Sequence, residues 1–187
     1  MNQVIQTILT RRSIRSYLPK PVSRETIETI IACGNAAPSG VGSRSWRFVV
    51  VESAEFRARL AQLARPKYEA WLATMPDAFR SMRAETDKIN PDPAYYGAAA
   101  IVFVIGWGMT APLDCPMVCE NMMIAARSLD IGSCWVHIGS LVKDEAEVKA
   151  ALELKDGEKI FGPIILGYPS QDFPIHTEIK PPVVKFV

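Results

Sequence analysis

Residues 114–138 read DCPMVCENMMIAARSLDIGSCWVHI, and their pattern decides the fold. Val118, Met122, Ala125 and Leu129 recur at helical spacing. Asp114 stands where an N-cap belongs, and Gly132 follows the helix end. Few polar residues interrupt any face, which predicts a helix buried all round, in part against a copy of itself in a dimer. The strand SCWVHI follows at once. Cys115 and Cys119 lie one helical turn apart, and the apolar periodicity of this helix already accounts for both.

Three further apolar runs read as strands. WRFVVVE (46–52) and AAAIVFVIG (98–106) are almost continuously apolar, as strands covered on both faces are. KIFGPIILGYP (159–169) is the last. Between them lie helices. QVIQTIL (3–9) places Val4, Ile5, Ile8 and Leu9 on one face. Ser23 caps a second helix, with Val22 and Ile27 forming a hydrophobic staple and Ile30 and Ile31 extending the buried face. Ser53 caps a third through Phe56, Leu60 and Leu63, and Pro66 predicts a break or kink. An irregular helical region runs to about Asn90, and KDEAEVKAALEL (143–154) gives a late helix. The proline-rich end, 170–187, predicts an extended tail. The order of elements describes one α+β domain over 1–187, with a sheet of about four core strands inside helices.

Composition narrows the function. Of 187 residues 49% are apolar and 22% charged, with a formal net charge of +1. That balance supplies no overall field to recruit nucleic acid or an anionic membrane. No apolar run approaches the roughly 18 residues of a membrane span, and the N-terminal segment lacks the pattern of a secretory signal. Four irregularly spaced cysteines (Cys33, Cys115, Cys119, Cys134) suit free thiols in a reducing cytoplasm. With no C-x-x-C pair and only His137 and His176 as imidazoles, no metal site is expected.

Against this neutral background, TRRSIRSYLPKPVS (10–23) concentrates Arg11, Arg12, Arg15 and Lys20. Two readings stand: a solvated helix end, or a socket for a phosphate, which guanidinium forks grip better than lysines do. Pro38-Ser39-Gly40 opens a Ser/Gly loop, AAPSGVGSRSWRFVVV (36–51), with small side chains that let a planar ring approach the backbone. No Ser-His-Asp set, P-loop or GxGxxG after a strand is present.

RRSIRSY (11–17), AAPSGVGSRSWRFVVV (36–51), ENMMIAARSLDIGSCWV (120–136) and GPIILGYP (162–169), in this order and spacing, resemble the FMN-dependent nitroreductase family. The resemblance implies a central, mostly antiparallel sheet of four to five strands surrounded by helices, in an intertwined homodimer with FMN at the subunit interface. Residues 54–95 would be the variable helical excursion over the active site. The implied activity is ping-pong two-electron transfer from NADH or NADPH, through flavin N5, to a nitroaromatic, quinone or similar small planar acceptor. Arg11, Arg12, Ser13 and Arg15 would hold the FMN phosphate and ribityl chain. Pro38, Ser39 and Gly40 would reach the flavin from the second subunit. Trp135, Val136 and His137 would present backbone N–H groups to the ring, and Lys180 would bring late positive charge to the phosphate.

The chain departs from the family pattern where Gly42, Arg44 and Ser45 replace an asparagine and a Gln-Pro pair, while Trp46 is kept. Arg44 could stabilise reduced flavin, select an acidic substrate, or point into solvent. His137 and Arg44 are the candidate catalytic side chains. The departure keeps open other flavin chemistry (dehalogenation, azoline dehydrogenation, flavin breakdown) and a non-catalytic flavin redox sensor.

Overall fold

Ten elements follow one another along the chain: α1 (Gln3–Thr10), α2 (Arg24–Asn35), β1 (Trp46–Val51), α3 (Ala54–Ala73), α4 (Asp77–Ile89), β2 (Ala100–Gly106), α5 (Ala111–Ser128), β3 (Gly132–Trp135), α6 (Ala146–Ala151) and β4 (Lys159–Gly167). The computed structural model describes residues 2–90, 92–174 and 182–186. The strands form one sheet in the order β1-β2-β4-β3, antiparallel at every pairing.

Strand alternation divides the sheet's side chains between two cores. Val102, Val104, Ile164 and Leu166 face α2 and α5, packing with Ile27, Ile30, Val118 and Met122. Ile101, Phe103, Ile105 and Ile165 face the other way, towards Leu60 of α3, Val148 of α6 and Tyr95. Both faces are covered, which is why these strands read as continuous apolar runs rather than alternating ones. The Ser23 and Ser53 caps form as expected, their hydroxyls accepting the Thr26 and Phe56 N–H groups at 3.2 Å.

Three local expectations change. α5 starts at Ala111 with Thr110 as its cap, a turn earlier than Asp114, because Pro112 fits the first turn, where an N–H would lack a partner anyway. Pro66 does not break α3: it lies on the exposed side, where the Gln62 carbonyl it leaves unpaired can meet water. The late helix is shorter than 143–154, and Glu153 ends its turn with a left-handed backbone (φ 49°). α5 is buried along one side, yet Leu113 is 73% exposed within a single chain. No residue of α1 is fully buried. Among the described residues no helix is long and apolar enough to cross a membrane.

Arg47 of β1 ties the sheet to the α6–β4 connection. Its Nε and Nη2 donate to the two Glu158 carboxylate oxygens at 2.9 and 2.7 Å, and Nη2 also reaches the Leu152 and Glu153 carbonyls. These hydrogen bonds hold the Glu158 carboxyl down to about 2, below its ordinary 4.5. A carboxyl that titrates lower in the folded chain stabilises it fully above its ordinary value, and the contribution drains away as pH falls towards 2. Glu158→Gln is therefore expected to lose about 2 kcal/mol at pH 7, the scale of a charge-assisted pair. In urea melts from pH 7 to 2 its stability should fall less steeply with acid than the parent's.

Three of the four thiols are buried and Cys33 is exposed. Burial pushes the Cys115 thiol up to about 12, with the Asp114 carboxylate adding to it, and burial also raises Cys119 and Cys134. A thiol-specific reagent at neutral pH should titrate one cysteine in the native protein and four after unfolding, because the thiolate is the reactive form.

Candidate functional site

The chain from Arg11 to Tyr17 leaves α1 in an extended conformation and lies along the free edge of β3. Ser13 forms a parallel bridge with Ser133, and the Ile14 N–H donates to the Ser133 carbonyl at 2.9 Å. Tyr17 bridges Pro169 beyond the end of β4. Two glycines permit the approach: a Cβ on Gly132 would meet Ile14 Cγ2 at 2.9 Å, and one on Gly167 would meet the Tyr17 ring at 2.7 Å. Ile14 is buried as the anchor.

Alternation along this extended segment sorts its polar residues. Arg11, Ser13 and Arg15 fall on one side of it; burial raises the Cys134 thiol, which donates to the Trp135 carbonyl at 3.4 Å, and the charges of Arg15 and Arg11 and the Ser13 hydroxyl act against that rise. Arg15 also faces the Tyr96 ring, 6.0 Å from its centroid, with no carboxylate partner among the described residues. Arg11 pairs with Glu120 at 3.3 Å across a partly exposed gap. Arg12 turns back instead. Its Nη1 donates to the Leu9 carbonyl at 3.0 Å, closing the end of α1. Its Nε is buried without a hydrogen-bond partner among the described residues. An orphaned buried donor beside two weakly committed guanidiniums and a hydroxyl is the donor set that a polyanion such as a phosphate satisfies.

Trp135, Val136 and His137 follow directly on β3, next to this cluster. Trp135 is half-buried against the core on the α5 side, Val136 is buried, and His137 is exposed. The Val136 N–H donates to the Pro163 carbonyl at 3.0 Å, so it is spent inside the sheet. Alternation turns the Trp135 amide the other way, to the edge where Ser133 receives Ile14.

The Pro38–Arg44 loop sits elsewhere. It enters β1, the opposite edge of the sheet, with β2 and β4 between it and β3. In one chain the structure therefore brings Arg11, Ser13, Arg15, Trp135, Val136 and His137 together, with Arg12 behind them, and holds Pro38, Ser39, Gly40, Gly42 and Arg44 apart. Asp114, buried in the first turn of α5, accepts the Gly40 N–H at 3.1 Å and fixes the loop. The sequence marks Asp114 only as a helix cap; its partner lies 74 residues away. Lys180 falls outside the described residues.

The α3–α4 excursion is tied to the cluster through Tyr96. Arg83 donates to the Tyr68 hydroxyl at 2.9 Å and to Asp87 at 3.0 Å, and reaches the Tyr96 hydroxyl at 3.4 Å. Asn90 donates to the Arg15 carbonyl at 3.3 Å. Tyr96 has a left-handed backbone (φ 56°), a conformation uncommon for such a residue and concentrated where function constrains the chain. Nothing in residue spacing announces this network.

Comparison with known proteins places this geometry. The sequence profile of the Nitroreductase family matches residues 8–168. An NADPH-flavin oxidoreductase of Vibrio harveyi is 31% identical over 182 residues, covering 97% of this chain and 70% of its own. A nitroreductase of Bacteroides fragilis with bound FMN superposes over the whole of both chains, with a TM-score of 0.79 and 28% identity. One from Desulfitobacterium hafniense, also with bound FMN, covers 99% of this chain and all of its own, with a TM-score of 0.80 and 25% identity. The profile match takes in the arginine cluster, the loop, α5 and all four strands, and the chain belongs to the Nitroreductase family.

Proposed function

We propose that this chain is an FMN-dependent oxidoreductase that passes two electrons from NADH or NADPH to a nitroaromatic, quinone or similar small planar acceptor. The observation that carries the reading is the segment of Arg11, Ser13 and Arg15 docked on the β3 edge, together with the buried Nε of Arg12, which has no hydrogen-bond partner among the described residues. Arg11, Arg12, Ser13 and Arg15 would hold the phosphate and ribityl chain, and the edge amide of Trp135 would face the ring. FMN, when bound, supplies the two-electron chemistry. The chain's own residues bind and orient: the arginines balance the phosphate charge, and the Ser133–Ile14 hydrogen bond sets their distance from the ring site. His137 is exposed beside that site and is available to hold a proton there.

The second half of the site belongs, in this reading, to a second copy of the chain. Within one chain the Pro38–Arg44 loop stands about three strand spacings, roughly 14 Å, from β3, so a partner's loop completes the site. The apolar face of α1 supports the same reading: Val4, Ile5, Ile8 and Leu9 are each between 44% and 63% exposed, and Leu113 and Met117 of α5 add to it. Large apolar side chains exposed together along one helix mark an interface. Residues 54–95 would form the wall over the site within a single 1–187 domain. The free thiols, one of them exposed, support a cytoplasmic setting in this reading.

The test is the visible spectrum of the purified protein. A flavin band that bleaches when NADH or NADPH is added without oxygen, from a chromophore released on denaturation as FMN, is the expected result. A colourless protein that takes up no added FMN overturns the reading. Arg15→Ala should weaken FMN retention about tenfold or more, the scale of one charge-assisted contact; full flavin occupancy in that variant removes Arg15 from the socket. Light scattering should give twice the 20.7 kDa of one chain, and Ile8→Asp should lower that mass and the bound flavin together.

A further inference from the structure

The chain has twelve arginines. Eleven have a carboxylate, carbonyl or ring partner among the described residues. Arg44 has none. This is not a mobile residue on a loose loop. The Gly42 and Ser43 N–H groups donate to the Ser39 and Gly40 carbonyls at 3.1 and 3.0 Å, and the Arg44 N–H donates to Ser39 Oγ at 3.2 Å. The Arg44 carbonyl accepts the Trp46 N–H at 2.8 Å. Gly40 is clamped by Asp114, and a Cβ there would strike Thr110 Cγ2 at 2.6 Å.

The held loop is also strained. Val41, Gly42 and Arg44 have φ of 49°, 70° and 45°, and two of the three carry a Cβ that disfavours this region. No carboxylate occurs between residues 36 and 51, and the neighbouring Arg47 is committed to Glu158. The large side chains exposed on this loop and on the adjoining 107–110 turn are apolar. Val41 is fully exposed, Met109 is 94% exposed, and Trp107, partly exposed, donates its backbone N–H to the Ser45 carbonyl at 3.1 Å. A held backbone that carries an exposed guanidinium with no partner among the described residues, with an indole and two aliphatic side chains exposed on the same and the adjoining loop, has the composition of a receptor for an aromatic anion.

We propose that Arg44 is a specificity-determining residue that selects acceptors bearing a carboxylate or a similar anionic group. It acts across the subunit interface, on a planar ring held at the partner's site. The inference rests on the flavin-enzyme reading above and deepens it by naming the acceptor class. Arg44 contributes a charge that the acceptor needs and the rest of the loop does not supply. The clamp from Asp114 sets the height of that charge.

The experiment uses the FMN-loaded dimer. Benzoate and its neutral isostere benzamide are titrated into the oxidised protein while flavin absorbance is followed. Then 4-nitrobenzoate and 4-nitrobenzamide are compared as acceptors. The parent is expected to prefer the anion in both series. Arg44→Gln should lower that preference about tenfold, as loss of one charge-assisted contact does, and Arg44→Lys should retain part of it. Added salt should erode the preference in the parent and not in Arg44→Gln. Equal losses on the acid and the amide in both variants would overturn the proposal and make Arg44 a flavin-stabilising group. So would a change confined to NADPH against NADH, which would assign Arg44 to the donor's extra phosphate, and so would a parent with no preference for the anion. A protein that bleaches with NAD(P)H yet shows none of these charge effects sinks the role of Arg44 alone. One that never bleaches sinks the flavin-enzyme reading with it.

Discussion

The hydrogen bond from the Ile14 N–H to the Ser133 carbonyl is the constraint from which the rest of the site follows. It fixes an extended segment against a strand edge, and an extended segment alternates its side chains. Arg11, Ser13 and Arg15 therefore share one side while Ile14 is driven into the core. A helical continuation of α1 would have spread the same residues around a cylinder. The arginines converge because the backbone is paired, and the backbone can pair because glycines at 132 and 167 leave room for Ile14 and Tyr17.

The same logic holds at the far edge of the sheet. There a buried carboxylate, Asp114, replaces the strand as the fixed point, and the loop it holds makes three excursions into left-handed backbone. Asp114 sits in the first turn of α5, where the helix dipole favours a negative charge. That helps to explain how a carboxylate is tolerated at 3% exposure with an amide donor rather than an ion pair. The two halves of the candidate site thus rest on two rigid attachments to one sheet, one at each edge. The tyrosine and arginine network from Tyr68 to Arg83 and Tyr96 fastens the α3–α4 excursion to the first of them.

Much of the fold could be read from residue order, for reasons that are local. The strands declared themselves because both faces are covered, and the Ser23 and Ser53 caps because capping is decided within three residues. The arginine cluster was legible as positive charge against a neutral chain. What escaped the sequence depends on distant partners. Asp114 reads as a cap until Gly40 is seen beside it. Pro66 reads as a break until its side of α3 is seen to face outward. The Val136 amide reads as free until Pro163 takes it. The divergence of Arg12 from its neighbours follows from where α1 ends, which periodicity alone locates poorly.

The docked N-terminal segment has a further consequence, for solubility and assembly. β3 is a border strand, and without Ser13 and Ile14 its outward carbonyls and amides would form a ready template for another chain. Residues 11–17 act as an edge guard that covers part of this border, the Ile14 N–H taking the Ser133 carbonyl. A chain shortened past this segment would lose its arginines and would also uncover an adhesive border. The residues that would grip the cofactor are then the same residues that keep the sheet from growing.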